Sequence, residues 1–168
     1  HYFSDEDTQK LMKEIKRILK KGGLFIGSVN GIQGYEKIKD SKYFYSCSDG
    51  SICSAYDRGD PAAKDDYDNA DYYSDETVAN NNARADKLMR QLRRFAVEHR
   101  KENIKWHVRD AKFYIAYFHV DGSLVTDFNN RAQACNTIYF DSEEVAKLAI
   151  KAFHDELIWY FTEYKDSL

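Results

Sequence analysis

Carboxylates and tyrosines are concentrated between residues 57 and 73 of this 168-residue chain. Six aspartates alternate there with tyrosines, and residues 43–76 carry a net charge of −7. Closely spaced carboxylates can imitate a phosphate backbone, while tyrosines supply rigid contact area. The segment therefore predicts a partner-binding surface, with a solvent-exposed polar loop as the alternative. The predicted contact residues are Asp57, Asp60, Asp65, Asp66, Tyr67, Asp68, Asp71, Tyr72 and Tyr73.

Basic side chains follow directly, since residues 77–112 carry a net charge of +6. Four of them recur near one face of a helix predicted over residues 84–109. A basic stripe of this kind neutralises phosphates, so direct nucleic-acid binding is one interpretation. A solvated helix face is the commoner outcome, and the sequence pI of about 6.0 favours it. The four candidates are Arg84, Lys87, Arg90 and Arg94.

Residue types that perform nucleophilic catalysis or bind metals form no recognisable motif in this sequence. Catalysis by Ser or Cys needs an adjacent base and an orienting acid, and none of the five histidines lies in such a motif. The aspartates lack the spacing of an EF-hand calcium loop, and His154 has no second ligand one helical turn later. We therefore predict a protein that is not an enzyme, without catalytic, cofactor-binding or metal-binding residues.

The three cysteines indicate neither a disulfide framework nor a zinc site, because they are odd in number and form no CxxC pair. Cys47 and Cys53 fall in a predicted hairpin with a two-residue Asp49-Gly50 turn. That turn would place Ser48 opposite Ser51, which puts the two cysteines on opposite faces and leaves them unpaired.

The composition is that of a globular chain, with 43% apolar and 15% aromatic residues. A chain of this length suits one compact domain or two very small ones. No apolar run approaches the roughly 20 residues that span a bilayer, and the N-terminus lacks the layout of a signal peptide. These features predict a soluble, cytoplasmic protein with no membrane partner.

Residues 1–41 are predicted to form an amphipathic helix and a strand. Apolar residues recur at helical spacing from Leu11 to Leu19, Gly22-Gly23 supplies the stop, and a strand begins at Leu24. The run from Glu14 to Asn30 resembles the late helix and following strand of class I S-adenosylmethionine-dependent methyltransferases. The glycine-loop unit that holds the cofactor in that family has no counterpart here. A truncated methyltransferase joined to an accessory domain is therefore an alternative function, with no cofactor residue carried over.

Residues 42–168 are predicted to contain two copies of one unit, at 42–111 and 112–168. Each copy has a hairpin with an Asp-Gly turn, then a short aromatic strand and a capped helix. The second turn, Asp121-Gly122, would place Val120 opposite Ser123. The predicted fold class is α+β, with the helix–strand segment followed by two β-hairpin/strand/helix units that share an antiparallel-sheet core.

Local patterns add detail to both copies. The helices are predicted to begin at Ser74 or Asp75 and at Asp141 or Ser142. Residues 114–118 are apolar on both faces, which is typical of a central strand. The predicted core stripes comprise Leu88, Met89, Leu92, Phe95 and Ala96 in the first copy, and Val145, Leu148, Ala149, Ala152 and Phe153 in the second, followed by residues 157–161.

The doubled region resembles small uncharacterised proteins of bacteriophages and mobile elements of Gram-positive bacteria. The resemblance is carried mainly by Tyr139–Ala146 and by the closing aromatic helix. Inhibitors of host defence, including anti-CRISPR proteins, recur among such proteins. The resemblance therefore implies a non-catalytic protein-binding inhibitor, most specifically an anti-CRISPR protein that blocks a Cas effector ribonucleoprotein in the bacterial cytoplasm. The identity of the partner and the oligomeric state do not follow from the sequence.

Overall fold

A computed structural model describes residues 34–47, 49–101, 106 and 110–164. The chain divides into two compact units, residues 1–33 and 34–168. The helix predicted at the N-terminus, the strand that follows it and the methyltransferase-like run lie outside the described residues. The segment that follows belongs to the second unit, because the Tyr35 ring packs edge-on against Tyr73 and the Asp40 N–H donates to the Asp57 carbonyl.

The second unit contains helices and antiparallel strands, which confirms the α+β class. Its first part comprises β1 (Lys42–Ser46), β2 (Ile52–Tyr56), α1 (Pro61–Asp68) and α2 (Glu76–His99). Its second part comprises β3 (Lys112–Phe118), β4 (Ser123–Asn129), α3 (Glu143–Ala152), α4 (His154–Trp159) and a π-helical turn (Tyr160–Tyr164).

Each hairpin pairs with a third segment through one antiparallel bridge. Phe44 of β1 is bridged to Tyr73, and Phe113 of β3 is bridged to Phe140. A helix begins shortly after each bridging residue, at Glu76 and at Glu143. The hairpins nevertheless form two separate two-stranded sheets within the described residues, and not the one sheet core that was predicted for both units.

Helix α2 packs on the first hairpin and on helix α3 of the second part, and so joins the two parts of the unit. Its N-cap is Asp75, whose carboxylate accepts the N–H groups of Thr77 and Val78, as one of the two predicted caps requires. Near that end Ala79 packs with Phe44 and Tyr73 of the first part. Further along, Leu88 and Leu92 enter the main core. The helix ends at His99, well short of the predicted end at residue 109.

The main core lies between the second hairpin and helices α2, α3 and α4. Most of the predicted stripe residues belong to it or pack against it. Helix α3 begins at Ser142, whose hydroxyl accepts the Val145 N–H. Leu148 and Ala152 are wrong predictions, because both are exposed. A two-stranded sheet is narrow, so α3 buries only a narrow stripe. The buried residues of the main core, taken over all its elements, are Ala85, Leu88, Leu92, Phe140, Val145, Ala146, Ala149, Leu157, Trp159 and Tyr160.

The register of the first hairpin differs from the predicted one by one residue. Ser46 is opposite Ile52, and the Cys47 N–H donates to the Ser51 carbonyl, so three residues separate this last pair. A one-residue slip reverses the relative faces of the two strands. Cys47 and Cys53 therefore share a face, with Cα atoms 5.7 Å apart, and form a disulfide. The prediction of two unpaired cysteines was wrong.

The second hairpin also has a longer loop than predicted. Phe118 is opposite Ser123, so the loop is His119–Gly122, and Val120 lies in it instead of pairing with Ser123. The slip of two residues leaves the faces of β3 unchanged. Strand β3 was predicted to be a central strand, with partners on both edges. In the structure β4 pairs along one edge of β3, while the other edge has a single bridge, to Phe140.

Candidate binding surfaces

The acidic segment is largely folded into the first part of the unit. Where a loop was predicted, α1 begins with Pro61 at its first position, and Asp60 caps it by accepting the Ala63 N–H at 3.0 Å. Asp57 is fully buried, and its carboxylate accepts the Gly59 N–H at 2.8 Å and the Tyr72 hydroxyl at 3.3 Å. Asp57 is therefore a buried structural carboxylate, whereas Asp60 caps a helix and stays exposed.

Two further carboxylates hold the segment to the first hairpin. Asp66 accepts the Tyr43 hydroxyl at 2.8 Å, and Asp71 accepts the backbone N–H and hydroxyl of Ser46. Burial and the neighbouring Asp66 carboxylate raise the pKa of Tyr43 well above its usual value, so the phenol stays a donor. The Tyr72 ring stacks on Tyr43 with centroids 4.4 Å apart.

Within the described residues, only three of the nine predicted contact residues are exposed and make no hydrogen bond to another element, although the Tyr67 ring packs edge-on against Tyr72. They are Asp65, Tyr67 and Asp68, all on α1, and Asp68 forms an ion pair with Lys64 one turn away. Tyr73 is buried, which raises its pKa to about 12. The nine residues are thus neighbours along the chain but do not form one continuous acidic surface.

The predicted basic stripe is also partly committed to contacts within the fold. The Arg84 guanidinium donates to both carboxylate oxygens of Glu156, at 2.8 and 3.0 Å, and lies 3.9 Å from the Trp159 ring centroid. That contact lowers the pKa of Glu156. Arg94 lies 3.8 Å from Glu98 on the same helix. Lys87 and Arg90 are exposed, and the positive charge of Lys87 also contributes to the lowered pKa of Glu156.

A groove of about 400 Å³ lies along β3 in the second part of the unit. Its walls are β3, the chain at residues 136–140, helix α2, and the C-terminal aromatic residues. Among the described residues that line the groove there is no Asp, Glu, Lys or Arg, and His119 is the one histidine. Tyr117 stacks on Phe161 at one side, with centroids 5.8 Å apart. The groove is therefore uncharged and rich in aromatic surface.

The chain at residues 136–140 opens the groove by leaving β3 immediately beyond Phe140. Phe113 and Phe140 exchange both backbone hydrogen bonds, at 3.1 and 2.7 Å. In this register Ile138 would lie opposite Ile115, yet the two form no bridge. Asn136 has a positive φ of 57°, and the Tyr139 hydroxyl accepts the Ala134 N–H, so a local turn holds this chain away from β3.

The tip of the second hairpin lies beside the groove and also exposes apolar side chains. Phe118 is 51% exposed and Val120 is 84% exposed, and the neighbouring His119 lines the groove. The sequence pattern of residues 114–118 predicted a central strand there and no binding surface. The signal that could have found it is the run Phe113–Phe118, which has six consecutive uncharged residues.

The described residues were also compared with what a metal site or a membrane-spanning helix requires. Across residues 34–101 and 110–164, apart from the undescribed Ser48, no three His, Cys, Asp or Glu side chains are close enough together to hold a metal ion. No helix in the same part of the chain is long and apolar enough to cross a membrane. Comparisons of the chain with family models, curated proteins and solved structures find no match.

Proposed function

We propose that this protein is a non-catalytic protein-binding protein whose contact region is the groove along β3 and the adjoining hairpin tip. The observation that carries the proposal is the exposure of Phe118 and Val120 beside an uncharged, aromatic groove. Soluble proteins seldom expose contiguous apolar surface unless it is used for binding. Aromatic side chains in particular supply much of the binding energy at protein interfaces.

The finer proposal concerns the partner, which we take to be a nuclease of the host defence system. It is supported by the resemblance of Tyr139–Ala146 and the closing aromatic helix to phage and mobile-element proteins, among which anti-CRISPR inhibitors recur. The contact region differs from the acidic surface first predicted, because most of those carboxylates serve the fold. Inhibition would then result from occupying a protein surface of the effector, with electrostatic imitation of nucleic acid contributing little.

The test measures binding to purified Cas effector ribonucleoproteins and their DNA cleavage, with the full chain as inhibitor. We expect co-elution with one effector type and reduced cleavage by it. Val120→Asp should abolish both effects, because it places a charge at the most exposed apolar position of the contact region. Val97→Asp is the matched control, since Val97 is 54% exposed on α2 and does not line the groove.

The outcomes separate the two levels of the proposal. No complex and undiminished cleavage across effector types would refute the nuclease partner. Equal loss of binding in Val120→Asp and Val97→Asp would refute the contact region, since both substitutions introduce the same charge at an exposed valine.

A further inference from the structure

We propose that the groove binds an extended, uncharged peptide segment of the partner, which adds to the free edge of β3 as a further strand. The inference rests on the proposed function and specifies how that site recognises its partner. The backbone hydrogen bonds of β3 show which of its groups face the groove. In an antiparallel strand, successive residues direct their backbone N–H and C=O groups to alternate edges.

The pattern of β3 is determined by Phe113. Its N–H and C=O both bond to Phe140, away from β4. By alternation, the N–H and C=O groups of Ile115 and Tyr117 also point away from β4, toward the groove. Neither residue makes a backbone hydrogen bond on that side within the described residues. Two donors and two acceptors are thus presented to the groove at strand spacing.

The groove lies where the next strand of the sheet would be. Ile115 and Tyr117 form one wall, and Ile138 and Asn136 form part of the other. Neighbouring strands are separated by about 4.8 Å, so a single extended chain bound to β3 would lie in this space. A second copy of the β3–β4 hairpin is a less suitable occupant, because its two paired strands are wider than one extended chain.

The two edges of the hairpin differ in charge, and the difference favours β3. Natural sheets protect free edges with charged side chains or by covering them. On the β4 side, Asp127 lies in the strand and Lys147 of α3 borders Val125 and Thr126. Lys112 at the start of β3 is buried, and the rest of that strand, from Phe113 to Phe118, has no charged residue. An uncharged segment therefore matches the groove, with alternate side chains entering its apolar interior.

The first experiment uses the full chain and a short synthetic peptide that alternates valine with threonine and has a lysine at each end. We expect millimolar or tighter binding, with the amide protons of Ile115 and Tyr117 gaining protection from hydrogen exchange. N-methylation of the peptide amides that face β3 should weaken binding roughly tenfold or more, since two hydrogen bonds are lost. N-methylation of the alternate amides should leave binding nearly unchanged.

The second experiment compares two proline substitutions on opposite edges of the same hairpin. Ile115→Pro removes an N–H that faces the groove, whereas Thr126→Pro removes the corresponding N–H on the β4 edge, since these two residues are opposite each other. We expect loss of peptide binding only in Ile115→Pro, with circular dichroism as the check on folding. If Ile115→Pro does not fold, the N-methyl series decides alone.

Several results would overturn strand addition. These are absence of peptide binding at millimolar concentration, equal sensitivity to both N-methyl series, and protection of amides away from Ile115 and Tyr117. Concentration-dependent protection of the same amides without peptide would indicate self-association instead. If a partner protein binds and Val120→Asp abolishes that binding while these amides stay unprotected, the proposed function survives and strand addition fails.

Discussion

Gly34 should be among the most costly glycines to substitute, although it precedes the first element of the described unit. Its φ is +87°, a conformation that costs an L-residue about 1–2 kcal/mol. A Cβ at this position would also lie 2.6 Å from Val78 Cγ2 and 2.9 Å from Val78 Cβ. Val78 is β-branched and sits in the first turn of α2, so it has little freedom to rotate away.

The expected cost of Gly34→Ala is the sum of these two effects. Overpacking of this kind typically costs about 1–3 kcal/mol, so the free energy of unfolding should fall by about 2–5 kcal/mol in total. Gly50→Ala is the matched control, because Gly50 has a φ of +84° and no atom within 4 Å of the added Cβ. It should cost only the conformational part, about 1–2 kcal/mol. Replacing glycine by alanine also stabilises the protein by reducing the conformational entropy of the unfolded chain. This gain is the same for Gly34→Ala and Gly50→Ala, so it cancels when the two variants are compared.

Urea denaturation, followed by far-UV circular dichroism, measures both costs. The difference of about 2 kcal/mol should lower the Gly34→Ala midpoint by about 1 M relative to Gly50→Ala. Adding Val78→Ala to Gly34→Ala should recover part of the loss, which a double-mutant cycle reports as a coupling energy. Equal costs for the two glycines, or no coupling between Gly34 and Val78, would refute the reasoning.

Three further predictions concern pH, redox state and a helix cap. Arg84 lowers the pKa of Glu156 in the folded state. Their contact therefore stabilises the fold fully at a pH above the ordinary pKa of a glutamate. That stabilisation is lost as the pH falls through the lowered pKa of the folded state. Glu156→Gln should therefore flatten the acid limb of a stability–pH profile, by less than about 1 kcal/mol because the pair is exposed, and an unchanged acid limb would contradict this. Reduction of the Cys47–Cys53 disulfide, whose partners are 6 residues apart, should cost about 2 kcal/mol in the chain-entropy picture, and an unchanged urea midpoint under reductant would argue against it. Asp75→Ala should cost about 1 kcal/mol, and the loss should be smaller in Asp75→Asn, which keeps a capping oxygen, by the same denaturation assay.

The helices of the described unit were predictable where their signals are local. Asp75 and Ser142 cap α2 and α3 through bonds to residues two or three positions away, as the sequence indicates. Helix α1 was missed, although Asp60 followed by Pro61 is a recognised start signal. The density of aspartates in this segment favoured a loop, because Asp is a poor helix former.

The hairpins show why register was harder to predict. An Asp-Gly dipeptide favours a two-residue turn, yet both hairpins have longer loops. The choice depends on the pairing of whole strands and on what each face packs against, and neither is contained in the turn sequence. In the first hairpin the consequence is chemical, since the one-residue slip brings Cys47 and Cys53 together.

The candidate site depended even more on tertiary structure. The acidic residues are neighbours along the sequence, but whether a carboxylate is available to a partner or bonds within the fold depends on distant donors. Asp71 bonds to Ser46, 25 residues away, and Arg84 to Glu156, 72 residues away. Such contacts use up polar groups that look available in a linear sequence.

The sequence by itself determined the α+β class, the caps of α2 and α3 and most residues of the main core, because these follow from short-range hydrogen bonds and from the periodicity of apolar side chains. The tertiary structure alone decided which carboxylates are buried, which cysteines pair and which backbone groups of β3 have no strand partner among the described residues. A groove beside β3 exists because residues 136–138 diverge from Ile115 and Tyr117 after one bridge at Phe140. The spacing between two chain segments is a property of the packed molecule, and no single segment encodes it.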